Sequence, residues 1–441
     1  MTLFEVRKSI LYVDNTAAFK AGVDAMLAEG DAATVAELFI DLQSRLTAWY
    51  LDKNVPACEI DAAIDKCEAF LKKADPVALR EAKKEVSSIA IASSTYLCKQ
   101  HDAGRMGFIW GHDLATGYYW SLRRGARFVT TNPAKVNVFR NDNPEAWAAL
   151  LADLKKDYPD LTPEQQVTHM YVRVVAEVAK ELAPIYAASE GKYGFACIQP
   201  NPFTFCDADA MLEDYYFFEK EFRRILGTDD PNVVYKIPAT PAARKVVDEL
   251  HKDPDYRLCM TLNYSVFQHD TFGDIIREGD HGDFLVLMGG IVDDFVKKEL
   301  IAQGMDENEA LEVSHYAATA ILNASYANNK AKGIKPIIMA GSARGAWSTE
   351  AVVCEDAENP VAITSMANMI AVYDSEPRAN VDVIQQPLDE AKLAVLKKSK
   401  IFCQAFEKNG LSDDTLLDYP PLQFVQASFE KGYTETLESL K

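Results

Sequence analysis

The feature that most constrains the fold is a series of eight short apolar segments that alternate with longer segments of helical periodicity. The eight segments begin at Phe108, Phe128, Tyr193, Val233, Leu258, Phe284, Pro336 and Val361. Short apolar segments bounded by turn residues and rich in β-branched or aromatic side chains are typical of buried strands. Eight strands joined by helices or longer crossovers predict an α/β fold, a closed (β/α)8 TIM barrel.

Helical periodicity continues on both sides of the predicted barrel. We predict a helical N-terminal extension over residues 1–105, the barrel over residues 106–375 and a helical C-terminal tail over residues 376–441 that packs on the barrel. No chemical motif accompanies the helical pattern of the extension. The tail would either cover the mouth of the barrel or form a contact between subunits.

Polar side chains follow the predicted strands at the points where the strands end. These candidate site residues are Asp113, Asn132, Gln199, Lys236, Thr261, Ser342 and Arg344. In barrels of this kind the catalytic groups collect at the carboxyl ends of the strands, where the loops to the helices begin. A random scatter of surface residues would not follow the strand ends in this way.

Lys236 is the most informative of these residues, because it interrupts the apolar strand Val233–Ile237 near its end. Lysine is almost never fully buried without a partner. One interpretation is an ion pair, or a side chain whose charged end reaches solvent. The other is a Schiff-base lysine, since a low-dielectric pocket lowers the pKa of an amine and the neutral amine attacks carbonyl groups.

Composition indicates which kinds of binding partner and which cellular compartment to expect. The formal net charge of −20 over 441 residues argues against binding to nucleic acid or to an anionic membrane, since both require basic surfaces. The eight cysteines are scattered without a Cys-x-x-Cys motif, which favours reduced thiols in a cytoplasmic protein. Neither a signal-peptide pattern nor a stretch of about 20 apolar residues is evident, so we expect a cytoplasmic protein that acts on small molecules.

Five short motifs occur in the order and at the spacing of one known family. They are Thr130–Pro133, Gln199–Pro202, Val234–Thr240, Thr261–Ser265 and Ala340–Arg344. Together they resemble the transaldolase family, class I aldolases on a (β/α)8 barrel, with a Thr-Thr-Asn-Pro signature after the second strand and the lysine on the fourth. The resemblance extends from about Phe108 to about Ser375, and the helical extensions lie outside it.

The resemblance implies a reaction through a lysine Schiff base that needs no metal ion and no organic cofactor. Lys236 would form an imine with a ketose, and Asp113 would act as the base in carbon–carbon bond cleavage. Thr261 and Gln199 would hold the water through which protons move. The enamine would then add to an aldehyde, which transfers a three-carbon ketol (dihydroxyacetone) unit between sugar phosphates, as in the pentose phosphate pathway.

The resemblance also implies roles in substrate binding. Asn132 would bind substrate hydroxyl groups, while Ser342 and Arg344 would bind the substrate phosphate. Local alternatives remain open for two of the polar residues. Asp113 could cap a helix that begins at Leu114, and Asn132 could serve only as a turn residue before a proline.

Several positions depart from the family pattern. Gln199 replaces the usual third-strand glutamate, and an amide can orient a water but cannot take its proton. The fructose 6-phosphate aldolase branch has the same exchange and pairs the glutamine with a sixth-strand tyrosine, whereas Leu287 occupies the matching position here. Tyr264 and His112 are candidate substitutes for the missing acid, although a core tyrosine and a structural histidine are the more ordinary interpretations.

Two further departures affect substrate binding. Cys259 replaces an asparagine that binds hydroxyl groups, and Gly290 replaces a sixth-strand arginine that binds phosphate. We therefore keep two alternatives to transaldolase activity. One is a class I aldolase that cleaves a ketose in the manner of fructose 6-phosphate aldolase. The other is an inactive barrel that binds sugar phosphates, and a homo-oligomer is compatible with each.

Overall fold

A closed barrel of eight parallel strands occupies the centre of the molecule. The computed structural model describes residues 3–51, 54–93, 103, 108–277, 282–356, 358–365 and 383–441. The strands are β1 (Phe108–His112), β2 (Phe128–Val129), β3 (Ala196–Ile198), β4 (Val233–Pro238), β5 (Leu258–Thr261), β6 (Phe284–Leu287), β7 (Ile337–Ala340) and β8 (Val361–Ser365). They pair in chain order, and β8 pairs with β1. The predicted (β/α)8 barrel is confirmed.

Helices precede, surround and follow the barrel. Before it come α1 (Leu3–Leu11), α2 (Thr16–Glu29), α3 (Ala32–Asp41), α4 (Arg45–Tyr50), α5 (Ala57–Ala74) and α6 (Pro76–Ser93). Between the strands lie α7 (Tyr118–Leu122), α8 (Pro133–Asp142), α9 (Pro144–Asp157), α10 (Pro163–Ala188), α11 (Ala208–Leu226), α12 (Ala243–Leu250), α13 (Val266–Ile275), α14 (Gly289–Ala302), α15 (Glu307–Lys332) and α16 (Ala346–Glu350). After β8 come α17 (Glu390–Leu396), α18 (Lys400–Phe406), α19 (Asp413–Leu416) and α20 (Pro420–Glu438). Over the described ranges, no helix is long and apolar enough to cross a bilayer.

The extension, barrel and tail follow one another in the predicted order. The predicted boundaries at 105/106 and 375/376 fall on residues outside the described ranges. The extension is fixed to the barrel by a buried carboxylate: Asp41 of α3 accepts hydrogen bonds from Nε of Arg7 and Nε of Arg123, both at 2.7 Å. Two guanidinium groups compensate the desolvation of this carboxylate. Because Arg123 follows α7, the contact anchors the extension beside the β1–β2 connection.

The amino end of the barrel interior is a packed core. Alternate residues of a strand face opposite sides, so on β4 Val234 lies in the interior cluster while Tyr235 packs against the helices. At the start of three strands the rings of Phe128, Phe195 and Phe284 pack together, with centroids 5.3 to 5.7 Å apart. These rings leave the carboxyl end of the barrel as the place where a ligand can enter.

The third strand begins later than the sequence predicts, at Ala196 rather than Tyr193. Gly194 has a φ of +79°, in the left-handed region. A Cβ at this position would lie 2.2 Å from the backbone nitrogen of Tyr186, so only glycine fits here. The turn before β3 is therefore closely packed on the end of α10, and pairing starts only after it.

The fifth strand ends one residue earlier than predicted, at Thr261. Leu262 has a φ of +49°, which is unfavourable for a residue with a Cβ by about 1–3 kcal/mol. The side-chain amide of Gln268 donates a hydrogen bond to the carbonyl oxygen of Leu262 at 2.9 Å and holds this turn. Backbone strain of this kind, held in place by neighbouring groups, is common beside functional sites.

Candidate active site

Lys236 lies inside the barrel, near the carboxyl end of β4. Val234 belongs to the interior cluster, and strand alternation directs the side chain two residues later to the same side. Lys236 is 6% exposed, and its Nζ donates a hydrogen bond to the backbone carbonyl oxygen of Thr131 at 3.2 Å. The amine is thus placed by its own strand and by the segment that follows β2.

The surroundings of Lys236 do not support the interpretation of a simple ion pair. In the part of the chain that the structure describes, the bond to Thr131 is the polar contact that the amine makes, and no carboxylate lies within ion-pair distance. The low exposure also rules out a charged end that reaches bulk solvent. Cys197 lies on the interior face of the neighbouring strand, and burial raises the pKa of its thiol well above the ordinary value, so this neighbour is neutral.

Asp113 follows β1 and is held by hydrogen bonds within the barrel. Its Oδ1 accepts a hydrogen bond from Oγ1 of Thr130 at 2.7 Å, and the Oγ1 atoms of Thr130 and Thr364 are also 2.7 Å apart. Its Oδ2 lies 3.7 Å from Nζ of Lys135. The alternative role of Asp113 as a helix cap is wrong, because the next helix begins at Tyr118.

Thr130 and Thr131 connect the two catalytic candidates. The Thr130 hydroxyl contacts Asp113, while the carbonyl oxygen of the next residue, Thr131, accepts the hydrogen bond from Lys236. The Thr131 hydroxyl donates to the carbonyl oxygen of Cys197 at 2.6 Å, which fixes this dipeptide against β3. Thr130 and Thr131 are adjacent, so this dipeptide positions the carboxylate of Asp113 and the amine of Lys236 together.

Gln199 lies next to Lys236 in the barrel wall. Ile198 pairs with Tyr235, and the following step of the same register brings Gln199 beside Lys236. Gln199 is 1% exposed, and both polar atoms of its amide are buried without a hydrogen-bond partner among the described residues. An unsatisfied buried amide costs about 1–3 kcal/mol, so a function is the natural explanation.

Thr261 and Asn132 complete the predicted polar rim. Thr261 is 1% exposed at the end of β5, where it pairs with Pro238. Asn132 caps α8: its Oδ1 accepts a hydrogen bond from the backbone nitrogen of Lys135 at 2.9 Å. Asn132 is therefore a helix cap rather than a turn residue, and its NH2 group makes no hydrogen bond within the described ranges.

Ser342 and Arg344 lie in the loop after β7. Ser342 has a φ of +60°, a left-handed conformation that serine rarely adopts. Its carbonyl oxygen accepts a hydrogen bond from Nη1 of Arg344 at 2.9 Å. On the other side Nε and Nη2 of Arg344 both lie 3.0 Å from Oδ2 of Asp294, a residue of α14. The guanidinium group is therefore already held at each of its nitrogens.

The structure gives the surroundings of the two positions that depart from the substrate-binding pattern. Gly290 lies in the first turn of α14, after β6, and a Cβ built on it would lie 1.9 Å from the carbonyl oxygen of Ser342. No side chain fits there, so this position cannot provide a phosphate ligand. Cys259 pairs with Lys236 in register, but its side chain lies in the packed interior cluster with Cys197 and not at the rim.

His112 and Tyr264 are not substitutes for the missing glutamate. The ring nitrogens of His112 lie 2.7 Å from Oγ of Ser121 and 3.0 Å from the carbonyl oxygen of Thr116, on the outer side of β1. Burial lowers the pKa of His112 to about 4. Tyr264 packs edge-on against Tyr419 in the cluster outside the barrel, at a centroid distance of 5.9 Å. Both therefore have structural roles.

Leu287, which occupies the position of the sixth-strand tyrosine, also faces away from the barrel interior. It belongs to the outer apolar cluster, whereas Val286, one residue earlier, belongs to the interior cluster. A side chain at position 287 could therefore not reach the amine of Lys236. No tyrosine on β6 provides the missing acid.

The last helix, α20, crosses the rim of the barrel where these residues lie. Gly432 is close enough to α8 that a Cβ on it would lie 2.7 Å from Cα of Ala134. Farther along, Tyr433 packs edge-on against Phe203 of the loop after β3. At the other end Phe424 packs against Phe295 of α14. The tail thus packs on the barrel through α8, the loop after β3 and α14.

Three features of the site escape the sequence analysis. Asp294 holds Arg344, Thr364 extends the hydrogen bonds of Asp113 through Thr130, and Asn263 is fully buried with both amide atoms unpartnered among the described residues. A contact between Asp294 and Arg344 could have been considered from the sequence, since β6 and β7 are neighbours and the segments after them must meet. Thr364 and Asn263 also stand at strand ends, where polar residues are expected.

No protein-family model matches the chain, and no curated protein sequence matches it. The fold and the site define a (β/α)8 barrel with a buried lysine near the carboxyl end of β4, whose amine has no carboxylate partner among the described residues.

Proposed function

We propose that the protein is a class I aldolase-type enzyme that transfers a three-carbon ketol (dihydroxyacetone) unit between sugars, in the manner of a transaldolase. The observation that carries this proposal is the amine of Lys236, which is buried in a barrel mouth without a carboxylate partner in the described part of the chain. In Schiff-base enzymes a lysine amine is the nucleophile that attacks the carbonyl carbon. The resemblance of the strand motifs to the transaldolase family supports the same reaction.

The first half of the reaction uses Lys236 as the nucleophile. Nζ attacks the ketone carbon of the donor, the carbonyl oxygen leaves as water, and a protonated imine remains. The bond between the third and fourth carbons then breaks, and its electron pair moves to the imine, which becomes an enamine. The departing fragment leaves as an aldehyde once the hydroxyl group on its first carbon has lost a proton.

Asp113 is the group that takes this proton. Its carboxylate accepts a hydrogen bond from Thr130 and lies near Lys135, so these contacts hold the proposed base in position. In the second half of the reaction the enamine attacks an acceptor aldehyde, and Asp113 returns the proton to the new hydroxyl group. Water then releases the product and regenerates the free amine.

Gln199 favours a second candidate, which is simple cleavage of the ketose. Its unpartnered amide lies beside Lys236 and can orient a water, but an amide cannot take the proton of that water. If protonation of the enamine competes with the acceptor aldehyde, the same site acts as an aldolase. Both activities share the imine at Lys236.

Product analysis tests the proposal and separates the two activities. The enzyme is incubated with a ketose donor, and free aldehyde and new ketose are measured with and without erythrose or erythrose 4-phosphate as the acceptor. Transfer predicts that most product forms only in the presence of the acceptor, whereas an aldolase releases aldehyde and dihydroxyacetone at similar rates without it. Absence of any product under both conditions would contradict the proposed function.

A further inference from the structure

The basic residue that would bind a substrate phosphate is engaged by an acid. Nε and Nη2 of Arg344 contact Oδ2 of Asp294, and Nη1 contacts the carbonyl oxygen of Ser342. Asp294 is 41% exposed, so its negative charge lies partly at the surface beside Arg344. A phosphate must either displace this carboxylate or bind beside it, and like charges at such distances repel.

Position 290, at the start of α14, has no space for a second basic side chain beside Arg344. A Cβ on Gly290 would lie 1.9 Å from the carbonyl oxygen of Ser342 and 2.9 Å from Cγ of Arg344. Lys135, near the start of α8, lies 3.7 Å from the carboxylate of Asp113. Each of these charges at the rim is thus matched by a charge of the opposite sign.

Two buried side chains in the described part of the chain have neutral amides without a hydrogen-bond partner. Gln199 and Asn263 are both at least 99% buried, and neither amide has a protein partner among the described residues. Gln199 lies beside Lys236, and the backbone oxygen of Asn263 accepts a hydrogen bond from Met288 at the end of β6. An amide offers one acceptor and two donor hydrogens, which suits hydroxyl groups rather than a dianion.

We propose that the substrate is an uncharged polyhydroxylated ketone and that Asp294 is the residue that discriminates against phosphorylated ketoses. This inference rests on the proposed function for the chemistry at Lys236, and it adds the substrate class. Asp294 acts by occupying Arg344 and by placing a negative charge beside it. Gln199 and Asn263 provide the neutral contacts to hydroxyl groups.

Binding of non-reactive sugar alcohols tests the substrate class without the imine. Glucitol and glucitol 6-phosphate have no carbonyl group, and their affinities are measured by calorimetry for the wild type and for Asp294→Asn. We expect the wild type to bind glucitol at least tenfold more tightly than its phosphate ester. In Asp294→Asn the phosphate ester should gain at least fivefold in affinity, while the affinity for glucitol stays the same.

Asp160→Asn is the matched control, because it removes the same charge at an exposed position in the turn between α9 and α10. It should leave both affinities unchanged. Three results would overturn the inference. The wild type could bind the phosphate ester more tightly than glucitol, or the ratio of the two affinities could be the same in the wild type and in Asp294→Asn. The third result is that the wild type binds neither alcohol.

A second measurement separates this inference from the proposed function. Borohydride is added to the enzyme with fructose or with fructose 6-phosphate, and the adduct on Lys236 is measured by mass spectrometry. Adducts from both sugars in equal yield would overturn the inference and leave the function intact. A preference for glucitol without any adduct on Lys236 would support the substrate class and contradict the function.

Discussion

The amine of Lys236 donates a hydrogen bond to the backbone carbonyl oxygen of Thr131 at 3.2 Å, across the interior of the barrel. A carbonyl oxygen can orient an amine without neutralising it by an opposite full charge. The preceding residue, Thr130, holds the carboxylate of Asp113 through its hydroxyl group. One dipeptide therefore positions the proposed nucleophile and the proposed base, and it can do so only because β2 and β4 belong to one closed sheet.

The first prediction concerns Asp113. Asp113→Asn keeps the shape of the side chain but removes the base, so the rate of bond cleavage should fall by about 10²–10⁴-fold. The imine with Lys236 forms before the base acts, so trapping by borohydride should remain close to the wild-type level. The rates are measured by aldehyde release, with Asp160→Asn as the control for loss of one negative charge. Loss of trapping together with loss of cleavage would contradict the separate role of Asp113.

The second prediction is that Gln199→Leu affects activity and stability in opposite directions. The leucine removes two buried polar atoms that lack partners, so the free energy of unfolding should stay the same or rise by up to about 1–3 kcal/mol. Turnover should fall at least tenfold, because nothing then orients the water at the imine.

Gln268→Leu is the matched comparison for this change. The Gln268 amide is equally buried, but it makes hydrogen bonds to Ala239, Leu262 and Tyr264, so its loss should destabilise the protein. Unfolding in urea at constant pH measures both variants. A Gln199→Leu variant that is as destabilised as Gln268→Leu would show that the Gln199 amide is structural.

The third prediction concerns the contact of α20 with α8. Gly432→Ala should lower activity, because the new methyl group would push α20 away from Ala134 at the start of α8. Alanine is a better helix former than glycine by about 1 kcal/mol, so any loss comes from the displaced contact and not from the helix itself. Gln423→Ala, at an exposed position of the same helix, serves as the control. Steady-state kinetics should show a rise in KM or a fall in kcat for Gly432→Ala alone.

The fourth prediction is a loss of stability between pH 6.5 and pH 4 from two buried histidines. Burial lowers the pKa of both His112 and His269 to about 4, whereas the unfolded chain has the ordinary value. The unfolded state therefore binds more protons in this interval, and each histidine should contribute up to about 3 kcal/mol of stability that is present above pH 6.5 and lost towards pH 4. Urea unfolding at pH 7 and pH 4.5 should show a smaller difference for His112→Gln than for the wild type. An unchanged difference would mean that His112 is already protonated, or exposed, in the folded protein.

The sequence was sufficient to predict the eight strands and the polar residues at their ends. Strands such as Val233–Pro238 are short, apolar and bounded by proline or glycine, so their type depends on local properties. The start of β3 and the end of β5 were misplaced, because they depend on backbone conformations at Gly194 and Leu262 that neighbouring helices impose. Local patterns do not contain this tertiary information.

The partners of the site residues could not be predicted in the same way. The pair of Arg344 with Asp294 joins residues that are 50 positions apart, and it exists because the loops after β6 and β7 are adjacent. The close approach of Ser342 to Gly290 could not be predicted for the same reason, since it is a property of packing. The strand ends were enough to predict the residues that lie at the rim. They were not enough to predict which of these residues form hydrogen bonds or ion pairs with one another.

The most direct measurement is the trapping of a substrate imine on Lys236. Dihydroxyacetone and borohydride are added to the wild type, to Lys236→Met and to Lys135→Met, and the modified peptide is identified by mass spectrometry. The account predicts one three-carbon adduct, on Lys236, in the wild type and in Lys135→Met, and none in Lys236→Met. An adduct that persists in Lys236→Met, or a wild type that remains unmodified, would contradict it.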